Sequence, residues 1–302
     1  MNELASEQSP LKDEPFVSHR SLLFTVAYEM LGSAADAEDV VQETWLRWAG
    51  IGDDARADVR DPRAYLVRIV TRQALNRLRS VSRRREEYVG QWLPEPLLTS
   101  PDVAEDVELA ESVSMAMLTV LETLGPAERA VFVLHEVFDV PYDEIAEAVD
   151  KSAAAVRQIA HRARGHVAAR RPRVAVSRTE QRQVVERFLA ALSTGDVRGL
   201  MDVLAPDVVL FSDGGGVAPA ARKPIEGMAR VSAFLCRFAE FAPGTEIATV
   251  LLNGAVAARI DPAGDLETAV TFVIENGRIT SIYAIRNPHK LGRLAEVTEL
   301  RR

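Results

Sequence analysis

Six side chains near the middle of the chain have the types and spacing needed to read a DNA duplex. Ser152, Arg157, Gln158, His161, Arg162 and Arg164 fall on the stretch Ser-Ala-Ala-Ala-Val-Arg-Gln-Ile-Ala-His-Arg-Ala-Arg. Within it, Val156, Ile159, Ala160 and Ala163 recur at helical spacing and predict a core-facing stripe, which leaves the polar side chains outward. Ser152 stands where an N-cap belongs. Arginine and glutamine can each make paired contacts with base edges in a major groove, so Arg157 and Gln158 are the candidates for base reading. Arg162 and Arg164 suit phosphate, and His161 suits either role or simply covers the helix. A short acidic-faced helix, Tyr142–Val149, and the turn Asp150-Lys151-Ser152 precede the stretch, so the whole reads as a helix-turn-helix. From Lys151 to Arg173 there is no Asp or Glu, in a chain of formal net charge -8. The bland alternative is a helical hairpin with a solvated basic face.

A second basic element lies earlier. Asp61-Pro62 predicts a helix start, and the helix runs from Arg63 to about Arg79 with Leu66, Ile69, Val70, Ala74 and Leu78 on its apolar side. Arg68, Arg72, Asn76 and Arg79 lie elsewhere on the wheel, followed by Ser80, Ser82, Arg83, Arg84 and Arg85. Charge runs are usually solvated faces, but two basic elements in an acidic chain fit two contacts with one DNA.

The bulk composition narrows the class. A length of 302 residues, 47% hydrophobic and 26% charged, fits a soluble protein of two or three domains. The single cysteine, Cys236, excludes a disulfide framework and a multi-cysteine zinc site; its apolar neighbours predict a buried thiol. No His, Asp and Glu cluster has metal-ligand spacing, so no metal and no cofactor is expected. No apolar run approaches membrane-spanning length, and the N-terminus lacks a basic stretch before an apolar one. The expected location is the cytoplasm, away from membranes.

The elements that must position these groups divide the chain at 14–90, 91–105, 106–173 and 178–302. The first block holds helices Ser18–Leu31, Asp36–Trp48 and the basic helix. In 91–105, prolines on both sides of Glu95 favour an extended linker, and Trp92, Leu93 and Leu97 predict that it docks on something. The third block is all helix, with Val107–Leu124 and Glu128–Phe138 before the helix-turn-helix. The last block opens with a helix at Glu180–Ser193 and a shorter one reaching Leu204. A strand from Asp207 then runs into Ser212-Asp213-Gly214-Gly215-Gly216. A helix near Met228–Phe241 and four β runs follow, with hairpin turns at Asn253-Gly254 and Asn276-Gly277. The fold class is multidomain: α, then an α+β cone of helices packed on a curved antiparallel sheet. Asp213 could serve as a base there, with Tyr283 or His289 as partner. The glycine run reads more simply as a tight turn, so no catalytic residue is assigned.

Several motifs carry a resemblance. Leu124-Gly-Pro-Ala-Glu-Arg-Ala-Val-Phe-Val-Leu-His-Glu-Val-Phe138, with Tyr142-Asp-Glu-Ile-Ala, resembles the fourth conserved region of bacterial sigma factors. Asp36-Ala-Glu-Asp-Val-Val-Gln-Glu-Thr-Trp-Leu-Arg-Trp48 and Asp61-Pro-Arg-Ala-Tyr-Leu66 resemble the second. The pair is similar to the extracytoplasmic-function group of the sigma-70 family. Trp92-Leu-Pro-Glu-Pro96, Asp213-Gly-Gly-Gly216 and Asn287-Pro-His-Lys-Leu291 resemble the subgroup with a fused C-terminal SnoaL-like domain. The usual last motif has Asp where this chain has His289, and Asn76 stands where related chains often have Asp.

The resemblance implies an alternative sigma factor, used in stress response, that binds core RNA polymerase at its clamp and flap and directs it to promoter DNA. Asp36, Asp39, Gln42 and Glu43 would dock on the clamp. Arg68, Arg72, Asn76, Arg79, Ser80, Arg83 and Arg84 would open and read the -10 element. Ser152, Arg157, Gln158, His161, Arg162 and Arg164 would lie on the -35 element. A regulatory contact would join Trp92 and Leu93 to Asp213, Gly214, Gly215, Gly216, Asn287, Pro288 and His289. The C-terminal domain would act in cis, with no separate anti-sigma factor required and room for an unknown small ligand. A one-component, ligand-responsive helix-turn-helix regulator is the alternative, and a fused enzyme the third reading. A regulator of that kind has no obvious use for the Asp36–Trp48 helix.

Overall fold

The computed structural model describes residues 15–170, 176–241, 245–261 and 268–302; side chains of residues 53, 82–86 and 238–241 lie outside the description. The chain begins with α1 (Pro15–Leu31), α2 (Ala34–Ala49), the short α3 (Asp53–Ala57) and the long α4 (Pro62–Glu86). Gly32, at φ 63°, ends α1, and the Ser33 hydroxyl accepts the Asp36 N–H at 3.2 Å to cap α2. Residues 91–97 then run without helix or strand, in keeping with the prolines on either side of Glu95.

Seven helical pieces follow: α5 (Pro101–Glu105), α6 (Val107–Ser112), α7 (Met115–Leu121), α8 (Pro126–Phe132), a π-helical turn (Val133–Val137), α9 (Tyr142–Val149) and α10 (Ala153–Ala168). The single helix expected over Val107–Leu124 is broken at Val113-Ser114. Ser114 caps α7 by accepting the Met117 N–H, and the Val113 carbonyl is taken by the Asn253 side chain at 2.9 Å. A contact from 140 residues away thus sets the break. Helices α1, α2 and α4 to α10 share one core in which Phe24, Leu66, Leu118, Val131 and Val156 are all buried.

The rest is α11 (Arg178–Thr194), α12 (Val197–Val203), β1 (Leu204–Asp213), β2 (Ile225–Glu226), α13 (Met228–Phe241), β3 (Glu246–Leu252), β4 (Ala255–Asp261), β5 (Thr268–Glu275) and β6 (Arg278–Ile285). The strands form one sheet of order β2-β1-β6-β5-β4-β3. The sheet is mixed rather than purely antiparallel: β1 runs parallel to β6, with Leu210 opposite Ile282. Parallel neighbours need a crossover, and α13 with β3 to β5 supplies it. Both Asn-Gly turns have left-handed φ at each position, as a two-residue hairpin requires.

Alternation along the strands gives the sheet two apolar faces. Val256, Ile260, Val270 and Ile282 face α11 to α13, where Phe188 and Leu192 fill the space. Ala257, Ala269, Tyr283 and Ile285 face the other way, and Leu93, Met115, Leu291 and Leu294 cover them. The linker and α7 therefore form one layer over the sheet. Cys236 is half-buried beside the helical layer, more exposed than its neighbours predict.

Candidate functional site

The helix-turn-helix is built locally. Asp150 ends α9 in left-handed backbone at φ 55°, and the Ser152 hydroxyl accepts the Ala155 N–H at 3.2 Å to start α10. Val156, Ile159, Ala160 and Ala163 are buried. Arg157, Gln158, His161, Arg162 and Arg164 are exposed. Arg157 lies over the Tyr142 ring, 5.8 Å from its centre, and Arg164 reaches Glu136 at 3.4 Å. Both contacts are at the surface and contribute little to stability.

The second basic element follows the wheel of α4, where steps of three and four residues place Arg68, Arg72, Asn76 and Arg79 along one side. Two of these reach across to α9. The Arg68 guanidinium meets the Glu147 carboxylate at 2.8 Å, and Arg72 donates to the Glu147 carbonyl at 2.7 Å. Glu147 belongs to α9, so the second basic element closes on the helix-turn-helix. Asn76 accepts from Arg79 at 3.4 Å, and Ser80 donates to the Arg77 carbonyl at 2.7 Å. Arg83 and Arg84 continue α4, but their side chains lie outside the described residues.

On α2, Asp39, Gln42 and Glu43 are exposed, and Asp36 is partly covered. Arg77 bridges Asp36 at 2.6 Å and Asp39 at 2.8 Å. The neighbouring Glu38 pairs with Arg20 at 2.7 Å and with Arg293 of the C-terminal segment at 3.3 Å. Arg77 and Arg293 bear directly on this acidic face, and the sequence reading named neither.

The linker docks around a buried carboxylate. Asp213 ends β1 with no exposed surface. Its Oδ1 accepts from the Tyr88 hydroxyl at 2.6 Å and the Gly215 N–H at 3.0 Å. Its Oδ2 accepts from the Leu93 N–H at 2.9 Å and Lys290 Nζ at 2.7 Å. Lys290 also donates to the Leu93 carbonyl at 2.5 Å and sits 4.1 Å from the centre of the Trp92 ring. A buried charge is tolerated when paired and hydrogen-bonded, and both ions here meet that condition. Asn287 donates to the Tyr88 hydroxyl at 2.7 Å and accepts the His289 N–H at 3.0 Å. Burial, with the adjoining Asp213 carboxylate, pushes the Tyr88 hydroxyl well above the usual phenol range.

The glycine run has a packing cause. A Cβ on Gly214 would lie 2.1 Å from the Ala218 carbonyl oxygen, and one on Gly215 would lie 2.4 Å from Asn287 Nδ2. One on Gly216, at φ 75°, would stand 3.1 Å from Val89. Pro288 and His289 are exposed; Lys290, within the same motif, makes the contact. The acid–base grouping of Asp213, Tyr283 and His289 is not assembled. The Asp213 oxygens hold four donors, and Tyr283 stacks on Phe211 at 5.1 Å. Burial raises its phenol to about 12, while His289 faces solvent.

Two more joints tie the parts together. Asn253, at the tip of the β3–β4 hairpin, is fully buried. Its Oδ1 accepts the Leu97 N–H at 2.9 Å. Its Nδ2 donates to the Tyr28 hydroxyl at 2.7 Å and the Val113 carbonyl at 2.9 Å. One side chain thus touches the first helix, the linker and the break between α6 and α7. Glu95 in the linker accepts the Ala34 and Ala35 N–H groups at 2.7 and 3.3 Å, a carboxylate at the positive end of α2. Burial raises its carboxyl from the ordinary value, against those backbone bonds.

Comparison with known proteins agrees with this arrangement. Residues 16–84 match the Sigma-70 region 2 model, 114–167 the Sigma-70 region 4 model and 185–282 the SnoaL-like domain model. The chain is 37% identical over 289 residues to the ECF RNA polymerase sigma factor SigJ of Mycobacterium tuberculosis, covering 91% of each protein. The chain belongs to the extracytoplasmic-function sigma factors. This sigma factor is also 35% identical over 283 residues to the probable ECF RNA polymerase sigma factor SigI of the same species, covering 91% of this chain and 92% of the relative. The crystal structure of M. tuberculosis SigJ superposes with a TM-score of 0.72 at 33% identity, covering 91% of this chain and 96% of that one. The sigma factor therefore carries regions 2 and 4 followed by a fused SnoaL-like domain. Its named relatives are sigma factors rather than enzymes. Among the described residues, no helix is long and apolar enough to cross a membrane.

Proposed function

We propose that this sigma factor rests in a closed form, locked in cis by its SnoaL-like domain, and opens when core polymerase and promoter take its two DNA-reading elements apart. The working domain limits are 14–90, 91–105, 106–173 and 178–302. Asp36, Asp39, Gln42 and Glu43 on α2 form the clamp-docking face, α4 with Arg68 to Arg84 reads the -10 element, and α10 reads the -35 element. Arg157 and Gln158 meet base edges there, Arg162 and Arg164 phosphate, with His161 between them.

The observation that carries this reading is the contact of Arg68 and Arg72 with Glu147. By their names the two promoter elements lie about 25 base pairs apart, roughly 85 Å at about 3.4 Å per step. Elements that touch cannot hold both at once. Asp213, Lys290 and Asn253 fasten the linker that must lengthen between them, Asn287 holds Tyr88 just ahead of it, and Arg293 reaches the edge of the clamp-docking face. In this reading the SnoaL-like domain takes the place of a separate anti-sigma protein, and no catalytic role is assigned to it.

The test is in vitro transcription with core polymerase on genomic promoter fragments, using the parent and an Asn253→Ala, Lys290→Met double variant. Core-dependent initiation that rises in the variant supports the cis lock. Initiation unchanged by the variant rejects the lock, and no initiation at any promoter rejects the promoter-reading role.

A further inference from the structure

A cleft of about 930 Å³ opens between α1, α6, α7, the π-helical turn and the end of α10. Met117, Leu121, Phe132 and Val167 give it an apolar wall. Around that wall stand five carboxylates, from Glu29, Glu108, Glu111, Glu136 and Asp139, against two guanidinium groups, Arg164 and Arg302. Both guanidinium groups are matched within the chain: Arg164 to Glu136 at 3.4 Å, and Arg302 to Asp106 at 3.1 Å and to Glu108. The mouth of the cleft thus already takes a cation on an apolar stem.

The floor is more telling. Glu29 is fully buried on α1. Its Oε1 accepts from the Ser112 hydroxyl at 2.8 Å, while its Oε2 has no hydrogen-bond partner among the described residues. The cation packed nearest, Arg129, donates Nε to the Glu29 carbonyl at 2.9 Å and pairs through Nη1 with Glu122. A buried polar atom left unmatched costs free energy that a ligand can recover. Among the described residues no group of three or more His, Cys, Asp or Glu is placed to hold a metal ion, and the long apolar wall suits methylene groups.

We propose that this cleft binds a linear polyamine. One ammonium group meets the Glu29 carboxylate, the methylene chain lies along Met117, Leu121, Phe132 and Val167, and a second ammonium reaches Asp139 at the rim. Burial, opposed by the Ser112 bond and Arg129, raises the Glu29 carboxyl to about 8, so near neutral pH it holds its proton. An ammonium beside it favours the carboxylate. Binding therefore turns Glu29 from acid to carboxylate and releases the proton to buffer. A ligand here spans α1 of region 2 and the helices of region 4, which favours the closed form.

The experiment is isothermal titration of the full chain with spermidine at pH 7, in two buffers of different ionisation enthalpy, with neither polymerase nor DNA present. Saturable binding at one site with release of close to one proton is expected. Glu29→Gln should abolish the proton release and weaken binding about tenfold or more. Should that variant misfold, Asp139→Asn serves, because Asn tolerates the left-handed backbone at φ 52°; it should weaken binding about threefold. No saturable binding, or binding that the folded variants leave unchanged, overturns the proposal. Since no promoter is involved, its failure is separate from any failure of the sigma reading.

Discussion

Replacing Asn253 with Ala should loosen the joint where the SnoaL-like domain meets both sigma regions. The side chain makes three hydrogen bonds: to the Leu97 N–H, the Tyr28 hydroxyl and the Val113 carbonyl. At about 0.5–1.5 kcal/mol net each, these contribute roughly 3 kcal/mol. The residue also holds φ at 51°, which costs Ala about 1–2 kcal/mol and Asn little. The expected loss is about 4–5 kcal/mol, or about a thousandfold in the local docking equilibrium. Asn253→Gly separates the two causes, because it removes the hydrogen bonds and keeps the backbone free; it should cost about 3 kcal/mol. Native-state hydrogen exchange reads the effect at the Leu97 amide. That amide should lose most of its protection, while the Leu93 amide, held by Asp213, should lose less. Leu97 protection within about twofold of the parent in both variants would refute the reasoning.

Three further outcomes follow from the same geometry. Lys290→Met leaves Asp213 buried without its cation and should cost about 3–5 kcal/mol in urea unfolding, part of it recovered when Asp213→Asn is added; a loss under about 1 kcal/mol contradicts the buried pair. Glu29 has a folded-state value of about 8 against an ordinary 4.5, so between these the native state holds the extra proton. Stability should fall as pH rises from about 5 to 8, by up to about 1.4 kcal/mol per unit, then level. Glu29→Gln should flatten that slope, and parallel profiles for the two proteins would count against it. At a -35 element, Arg157→Ala or Gln158→Ala in the holoenzyme should cost about 1–3 kcal/mol at particular bases. Arg162→Ala should weaken all sequences alike and reduce the salt slope by about one; footprinting across base variants and salt concentrations distinguishes them.

The elements written locally were legible. Ser152 at its cap, the four buried positions of α10 and the Asn-Gly hairpins depend on residues a few positions apart, and periodicity and turn chemistry report such features directly. The linker was legible for a different reason: Trp92, Leu93 and Leu97 are costly to leave in water, so their presence announced a docking surface. Residues with two tasks were not legible. Asn253 is explained by its turn, and nothing local marks its amide as the link between Tyr28, Leu97 and Val113. Glu147 is one acid on an acidic helix until α4 is brought beside it across 79 residues. The break at Val113 and the parallel β1–β6 pair have the same origin, since each is imposed by a partner distant in sequence. In the last motif His289 drew attention by departing from the usual residue, yet Lys290 carries the contact.

The central claim is that the two DNA readers touch in the free protein and separate on the promoter. Spin labels placed at Asn76 on α4 and Arg162 on α10, after the single native cysteine, Cys236, is replaced by Ser, measure this by pulsed dipolar spectroscopy. The account predicts one short distance in the free chain. With core polymerase and promoter DNA that distance should give way to one of roughly 60–85 Å, the span of the two elements on the duplex. A long distance in the free chain, or a short one that persists in the promoter complex, would contradict it.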